Sequence, residues 1–218
     1  MVIKIVLSIF LLYEVSNYNI KACEIKKSGL SAADKARLVD AHNRLRAKVA
    51  NGQQDGQPSA ANMKELVWDD ALAAKAQEWT SECKPGHDTY EARKTSKYSV
   101  VGQNCYSYSS SGKGSDKKIE MSKPVQAWYN EVKDFDSNTV GSFIFKAKIA
   151  HYSQVVWAKT EAVGCGYITF QNGEWTKTSV CCNYGPGGNF KQEPVYLVGS
   201  PASKCDSKST KYAGLCSS

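Results

Sequence analysis

The chain contains no Cys-x-x-Cys pair, no Asn-x-Ser/Thr sequon, no Gly-x-Ser-x-Gly elbow and no run of 18 apolar residues. Each absence removes a class of protein. Without Cys-x-x-Cys there is neither a zinc ribbon nor a thioredoxin-type redox site. Without a sequon no N-linked glycan is expected. The missing elbow excludes the nucleophilic serine of the α/β-hydrolase pattern. An apolar run of about 18 residues is the minimum for a spanning helix, so no transmembrane anchor is expected. There are also no internal repeats and no nucleic-acid-binding motif, and nucleic acid is not an expected partner.

What is present points to export. Lys4 precedes a nine-residue apolar run, Ile5 to Tyr13, interrupted only by Ser8, and polar residues resume at Glu14. Residues 1–22 read as a secretory signal, with cleavage between 16 and 22 at Ser16 or at Ala22, which has Ile20 two residues before it. All eight cysteines lie beyond that segment, and an even number in an exported chain reads as four disulfides. The formal net charge is +7, and removing residues 1–22 takes away Lys4, Lys21 and Glu14 and leaves +6. A basic secreted surface favours acidic cell surfaces, anionic lipid or acidic proteins. A composition of 42% hydrophobic and 22% charged residues suits one domain with a full core.

Three helices are legible. Ser31 with Asp34 three residues on forms a capping pattern, and Leu38, Ala41, Leu45 and Val49 follow at helical spacing until Gly52. Residues 51–61 read as a surface loop. A second helix is expected from Asp69, with Leu72, Ala76, Trp79 and Cys83 on one face and Pro85-Gly86 as its stop. A third is expected to be capped by Ser122, with Pro124 in its first turn and Val125, Trp128 and Val132 as its apolar stripe. Trp128 reads as core. Ser107 to Ser115 reads as a mobile loop. Strands are expected at Val100–Tyr106, Val163–Phe170 and Thr176–Tyr184, the last two joined by a type I′ turn over Asn172-Gly173. Helices interleaved with an antiparallel sheet give an α+β class, a three-layer α-β-α sandwich. Residues 23–199 form the expected domain. Residues 200–218 form a short tail closed by Cys205 and Cys216.

Two strings, HYSQVVWAKT from His151 and CNYGPGGNF from Cys182, together with His87 and Glu131, resemble the signature of the CAP superfamily. That family takes in cysteine-rich secretory proteins, antigen-5 allergens and pathogenesis-related group 1 proteins. Gly56 to Cys83, WYNEVKDFD from Trp128 and VVWAKT from Val155 are similar to the antigen-5 branch of arthropod venoms. Tyr90 stands where that branch carries a cysteine. The resemblance implies a cleft lined by His87, Gln103, Glu131 and His151, with Gln103 where many members carry Glu. It also implies Cys23–Cys83 and Cys165–Cys182 disulfides. Cys205–Cys216 then follows from nearness in sequence and Cys105–Cys181 by elimination, since neighbouring Cys181 and Cys182 on a strand face opposite sides.

Two histidines and one carboxylate could hold zinc, but an amide at Gln103 is a poor donor, so no cofactor is required and only a weak zinc site is expected. A Ser153, His151 and Glu131 triad is not expected, because Ser153 lies two residues from His151 in one helix and points to another face. His151 and Val155 share a helical face with Gln154 or Ala158. The turn at Gly185–Gly188 should shape the cleft, with Asn189 consumed by local backbone bonds. The resemblance implies a secreted, non-enzymatic, monomeric venom or salivary protein that binds an extracellular receptor or ion channel, with calcium or potassium channels as the concrete expectation. Channel-blocking cysteine-rich secretory proteins carry a larger C-terminal cysteine-rich domain than the two cysteines here. One alternative is a carrier of sterols, fatty acids or eicosanoids, with Tyr106–Ser111 and Phe143-Ile144-Phe145 as groove walls. The other is a weak metal-dependent hydrolase at His87, Glu131 and His151.

Overall fold

The computed structural model describes residues 23–111 and 119–218, so the expected signal segment lies outside the described residues. Helix α1 (Ala32–Ala50) begins where Ser31 and Asp34 cap one another: the Ser31 hydroxyl accepts from the Asp34 amide at 3.2 Å, and the Asp34 carboxylate accepts from the Ser31 amide at 3.1 Å. Two of the amides that a helix start leaves open are thereby satisfied. Leu38 and Val49 on its inner face are fully buried, and Gly52 reverses the chain at a φ of +68°. The loop expected at 51–61 is not all surface. Ala60 and Ala61 are buried, because Ala60 bridges to Val198 in the C-terminal segment.

Strand β2 (Val67–Trp68) leads into helix α2 (Asp70–Ser81), whose N-cap Asp69 accepts from the Leu72 amide at 2.8 Å. The buried face of α2 is Leu72, Ala73, Ala76 and Thr80. The expected stripe through Trp79 and Cys83 is corrected here. Trp79 is only half-buried and donates to the Gly86 carbonyl at 3.2 Å. Cys83 lies past the helix end at a φ of +55°, where it bonds to Cys23.

That small-residue face is matched to the sheet. Strands β4 (Ala162–Asn172) and β5 (Trp175–Gly185) pair antiparallel, and β3 (Gly102–Ser111) pairs with β5. Together with β1 (Glu24–Ser28) the order is β1-β4-β5-β3, and β2 adds a short parallel pairing to β4, the one departure from an antiparallel sheet. Gly164 and Gly166 face α2. A Cβ on Gly164 would enter the α2 backbone at Asp69 and Ala73, and one on Gly166 would lie 2.5 Å from the Gln77 Cα. The helix therefore sits closer than any side chain on those positions permits. Gly166→Ala is expected to lower stability by about 1–3 kcal/mol through overpacking. Thermal unfolding with an unchanged midpoint would refute this.

On the opposite face, Val163, Cys165 and Tyr167 of β4 and Val180, Cys182 and Tyr184 of β5 share one core with Leu38, Val125, Trp128 and Val155. Those last four come from α1, α3 (Ser122–Tyr129) and α4 (Ala150–Val155), which gives the third layer. The four disulfides are Cys23–Cys83, Cys105–Cys181, Cys165–Cys182 and Cys205–Cys216. Cys105 stands opposite Cys181 and Cys165 opposite Cys182, so adjacent residues of β5 staple it to both neighbours from opposite faces.

Three local expectations are corrected. Ser107–Ser111 is strand, paired residue by residue with β5 out to Trp175, and residues 112–115 of the expected loop lie outside the described residues. The hairpin turn centres on Gly173–Glu174 rather than Asn172-Gly173, since Asn172 pairs with Trp175 and only Gly173 has a positive φ. Ser122 does not cap α3. The N-cap is Met121, and Ser122 instead donates to Glu120. Val132 falls in the 3-10 turn Asn130–Asp134 that follows. The C-terminal tail joins the main core through Tyr212 and Leu215.

Candidate functional site

A cleft of about 640 Å³ opens beside α4, with His87, Gln103, Asn104, His151 and Gln154 among its polar lining. His151 is the second residue of α4, a helix of six residues, too short to be stable on its own amides. Its start is held by Glu131, whose carboxylate accepts from the His151 amide at 2.9 Å and the Tyr152 amide at 3.1 Å. The same carboxylate meets the His151 Nδ1 at 2.6 Å. A carboxylate against the open amides of a helix start is favourable on both hydrogen-bonding and dipole grounds. Glu131 thus stands behind His151 and is not part of the cleft lining, which corrects its expected place.

The far end of α4 is held by a cation. Arg46 of α1 is fully buried and donates to carbonyls only: Val155 at 2.8 Å, Trp157 at 2.9 Å, Lys64 at 2.6 and 2.8 Å, and Thr160 at 3.1 Å. Burial pushes its pKa down to about 9, which leaves it charged at neutral pH. The helix ends at Val155, so Ala158, expected on the face of His151, lies beyond it.

His87 is oriented from the sheet by a chain of amides. Asn183 donates to the Leu72 carbonyl at 3.3 Å, Gln103 donates to the Asn183 Oδ1 at 2.9 Å, and Gln103 Oε1 lies 2.8 Å from the His87 Nδ1. A carbonyl can only accept, so every amide in the series is turned one way, and His87 must carry a proton on Nδ1. His151 carries its proton on Nδ1 for the same reason, facing Glu131. Neutral, both rings have their Nε2 lone pairs free of these bonds. Asn183 is the residue that sequence reasoning missed. Its strand register opposite Gln103 was the available signal.

Ser153 is fully buried, and its single hydroxyl proton has only acceptors around it, the Asn189 Oδ1 at 2.6 Å and the Ile149 carbonyl at 3.0 Å. Asn189 in turn donates to the Ala150 carbonyl at 2.8 Å, so its side chain ties the turn to α4, 39 residues away, rather than to the local backbone as expected. A hydroxyl committed in this way has no histidine within reach to activate it. Among the described residues, no three His, Cys, Asp or Glu side chains gather as a metal-binding group. His87 and His151 offer two ring nitrogens, the Glu131 carboxylate is used by backbone amides, and Asp88, which also lines the cleft, pairs with Arg93 at 2.7 Å. The residues present do not fit a resident zinc ion.

A three-layer sandwich with two histidines oriented over a cleft beside a disulfide-stapled hairpin defines a CAP protein. The chain matches the model described as CAP, the Cysteine-rich secretory protein family, over residues 39–184, and belongs to that family. It is 47% identical over 196 residues to Scoloptoxin SSD976 of Scolopendra dehaani, covering 89% of each chain. It is 41% identical to Venom allergen 5.02 of Dolichovespula maculata, covering 79% of this chain and 80% of the relative. Among solved structures it is similar to NaASP2 with Zn2+, with a TM-score of 0.67, 29% identity, and coverage of 86% of this chain and 97% of the other.

Proposed function

We propose that this chain is a secreted venom or salivary CAP protein that acts without catalysis, by binding an extracellular target. The commitment of the Ser153 hydroxyl to Ile149 and Asn189 carries the non-enzymatic reading, because it leaves His151 without a nucleophile. The toxin and allergen names of the relatives support the venom assignment, and four disulfides suit an oxidising compartment. No helix of the described residues is long and apolar enough to cross a membrane. Hydrolase assays with and without zinc are expected to show no turnover. Activity that disappears in His151→Ala would overturn the reading. The finer proposal is block of a calcium or potassium channel, and patch-clamp recording without block at micromolar protein would remove it.

The carrier alternative finds less support. Of its two expected walls, Phe143 belongs to the core, Ser107–Ser111 pairs with β5, and only Phe145 lines the cleft.

Zinc is proposed to bind weakly, if added, through the two imidazoles. The amide of Gln103 makes His87 a weaker ligand than a carboxylate partner would. Gln103→Glu is therefore expected to tighten zinc binding by about 10-fold or more, measured by titration calorimetry. An unchanged affinity would show that His87 is not a ligand.

A further inference from the structure

We propose that one rim of the cleft is a docking face for anionic membrane surfaces, formed by Ile144, Phe145 and Phe190 with Lys146 and Lys191 beside them. Large apolar side chains exposed singly are ordinary, but these adjoin. Ile144 is 55% exposed, Phe145 47% and Phe190 39%. Phe145 and Phe190 line the same cleft, and their rings are joined through the core. Phe145 meets Phe143 with centroids 6.4 Å apart, Phe143 meets Trp157 at 5.7 Å, and Trp157 meets Phe190 at 6.2 Å.

The two loops that carry them are tied by backbone bonds, with the Phe143 amide donating to the Glu193 carbonyl and the Gln192 amide to the Phe143 carbonyl, both at 2.9 Å. Phe190 and Lys191 are flanked by Asn189 at a φ of +64° and Gln192 at +66°. Left-handed backbone is unfavourable for residues with a Cβ, and it persists where surrounding contacts enforce it. Here it presents an aromatic and a lysine side by side at the surface.

The charge around this knuckle is only partly compensated. Lys148 pairs with Asp134 at 3.4 Å and Lys159 with Glu193 at 2.8 Å. Lys146 and Lys191 have no acidic partner among the described residues. A lipid surface bearing negative headgroups answers both features, since it offers charge to the lysines and an apolar layer to the rings. A soluble acidic protein answers the lysines alone. Docking in this orientation would bring the mouth of the cleft against the headgroups. It would hold whether or not the protein also recognises a protein target.

Co-sedimentation of the protein with vesicles of phosphatidylcholine, alone or mixed with phosphatidylserine, tests the proposal. Binding is expected only to the mixed vesicles, and it should weaken as salt is raised. The Phe145→Ser/Phe190→Ser and Lys146→Glu/Lys191→Glu variants, checked for unchanged thermal midpoints, should each lower the bound fraction by about fivefold or more. The charge-matched tail variant Lys204→Glu/Lys208→Glu should bind as the parent does. Equal binding to both vesicle types, or equal loss in the tail variant, would overturn the proposal. Loss in the lysine variant with none in the phenylalanine variant would also overturn it, in favour of a soluble acidic partner.

Discussion

Arg46→Met is expected to lower stability by about 3–5 kcal/mol, read by chemical denaturation at neutral pH. Methionine fills much of the volume and removes the desolvation cost of the guanidinium, which on its own would favour the variant. The balance is decided by the carbonyls. Arg46 donates to Lys64, Val155, Trp157 and Thr160, and these oxygens lie inside the fold where water does not replace the lost bonds. Val155 is also the last residue of α4, so its carbonyl is one that the helix cannot satisfy internally. Arg46→Lys should recover only part of the loss, since one ammonium cannot reach the same spread of acceptors. A variant with methionine within about 1 kcal/mol of the parent would show that the carbonyls find other donors.

The consequence extends to the cleft. Helix α4 has six residues, with Glu131 at its start and Arg46 at its end, an anion at the positive pole and a cation at the negative one. His151 is therefore positioned by two residues that lie 20 and 105 positions away in sequence, the first as a direct partner and the second through the helix it anchors. The string HYSQVVW marks the helix in the sequence, but it carries no sign of what holds the helix in place. Arg46 reads in sequence as one more charged residue on an amphipathic helix. Its burial comes from carbonyls of Lys64 and of the stretch 155–160, about 20 and 110 residues away, which no local pattern records.

The same distinction runs through the rest of the fold. Ser31 with Asp34 was legible as a cap because the capping atoms lie within one turn of each other, whereas Asp69 was read only as the start of its helix. Cys181 and Cys182 were legible as separate bridges because strand alternation is itself local. Ser107–Ser111 was not legible as strand, because serine has little β preference and the pairing is dictated by β5, some 70 residues later. The end of α2 was misplaced because an apolar stripe continues through Trp79 and Cys83 while the chain has already turned toward Cys23. At the cleft, the two histidines were legible as types. Their tautomers required Asn183 and the Leu72 carbonyl, which fix the direction of the amide series.

The protein is expected to lose about 3 kcal/mol of stability as the pH falls from 6.5 to 4, and His42 is the cause. His42 is fully buried, lies 2.7 Å from the Leu38 carbonyl through Nδ1, and lies 2.8 Å from the Tyr184 hydroxyl through Nε2. Burial lowers its pKa to about 4, the Leu38 carbonyl opposes that shift, and the positive charge of Arg46 adds to it. The sign follows from proton counting. Between the ordinary histidine value near 6.5 and the folded value near 4, the unfolded chain holds a proton on this ring and the folded chain does not, so acid favours unfolding across that window. The carboxylate contributions fall elsewhere. Glu161, lowered chiefly by its bond to Lys64, stabilises the fold above its ordinary value of 4.5 and loses that effect only below it. The His42 contribution sets in from pH 6.5, above the range of the carboxylates, and the loss of stability there should flatten in His42→Gln. The His42 ring resonances followed by NMR should stay in their neutral positions down to about pH 5. In Arg46→Met the ring's titration midpoint should move upward, because the one positive charge that opposes the imidazolium is gone. A ring that titrates near 6.5 in the parent would mean that water or an unrecognised acid reaches His42, and the account of a sealed core beneath the cleft would fail with it.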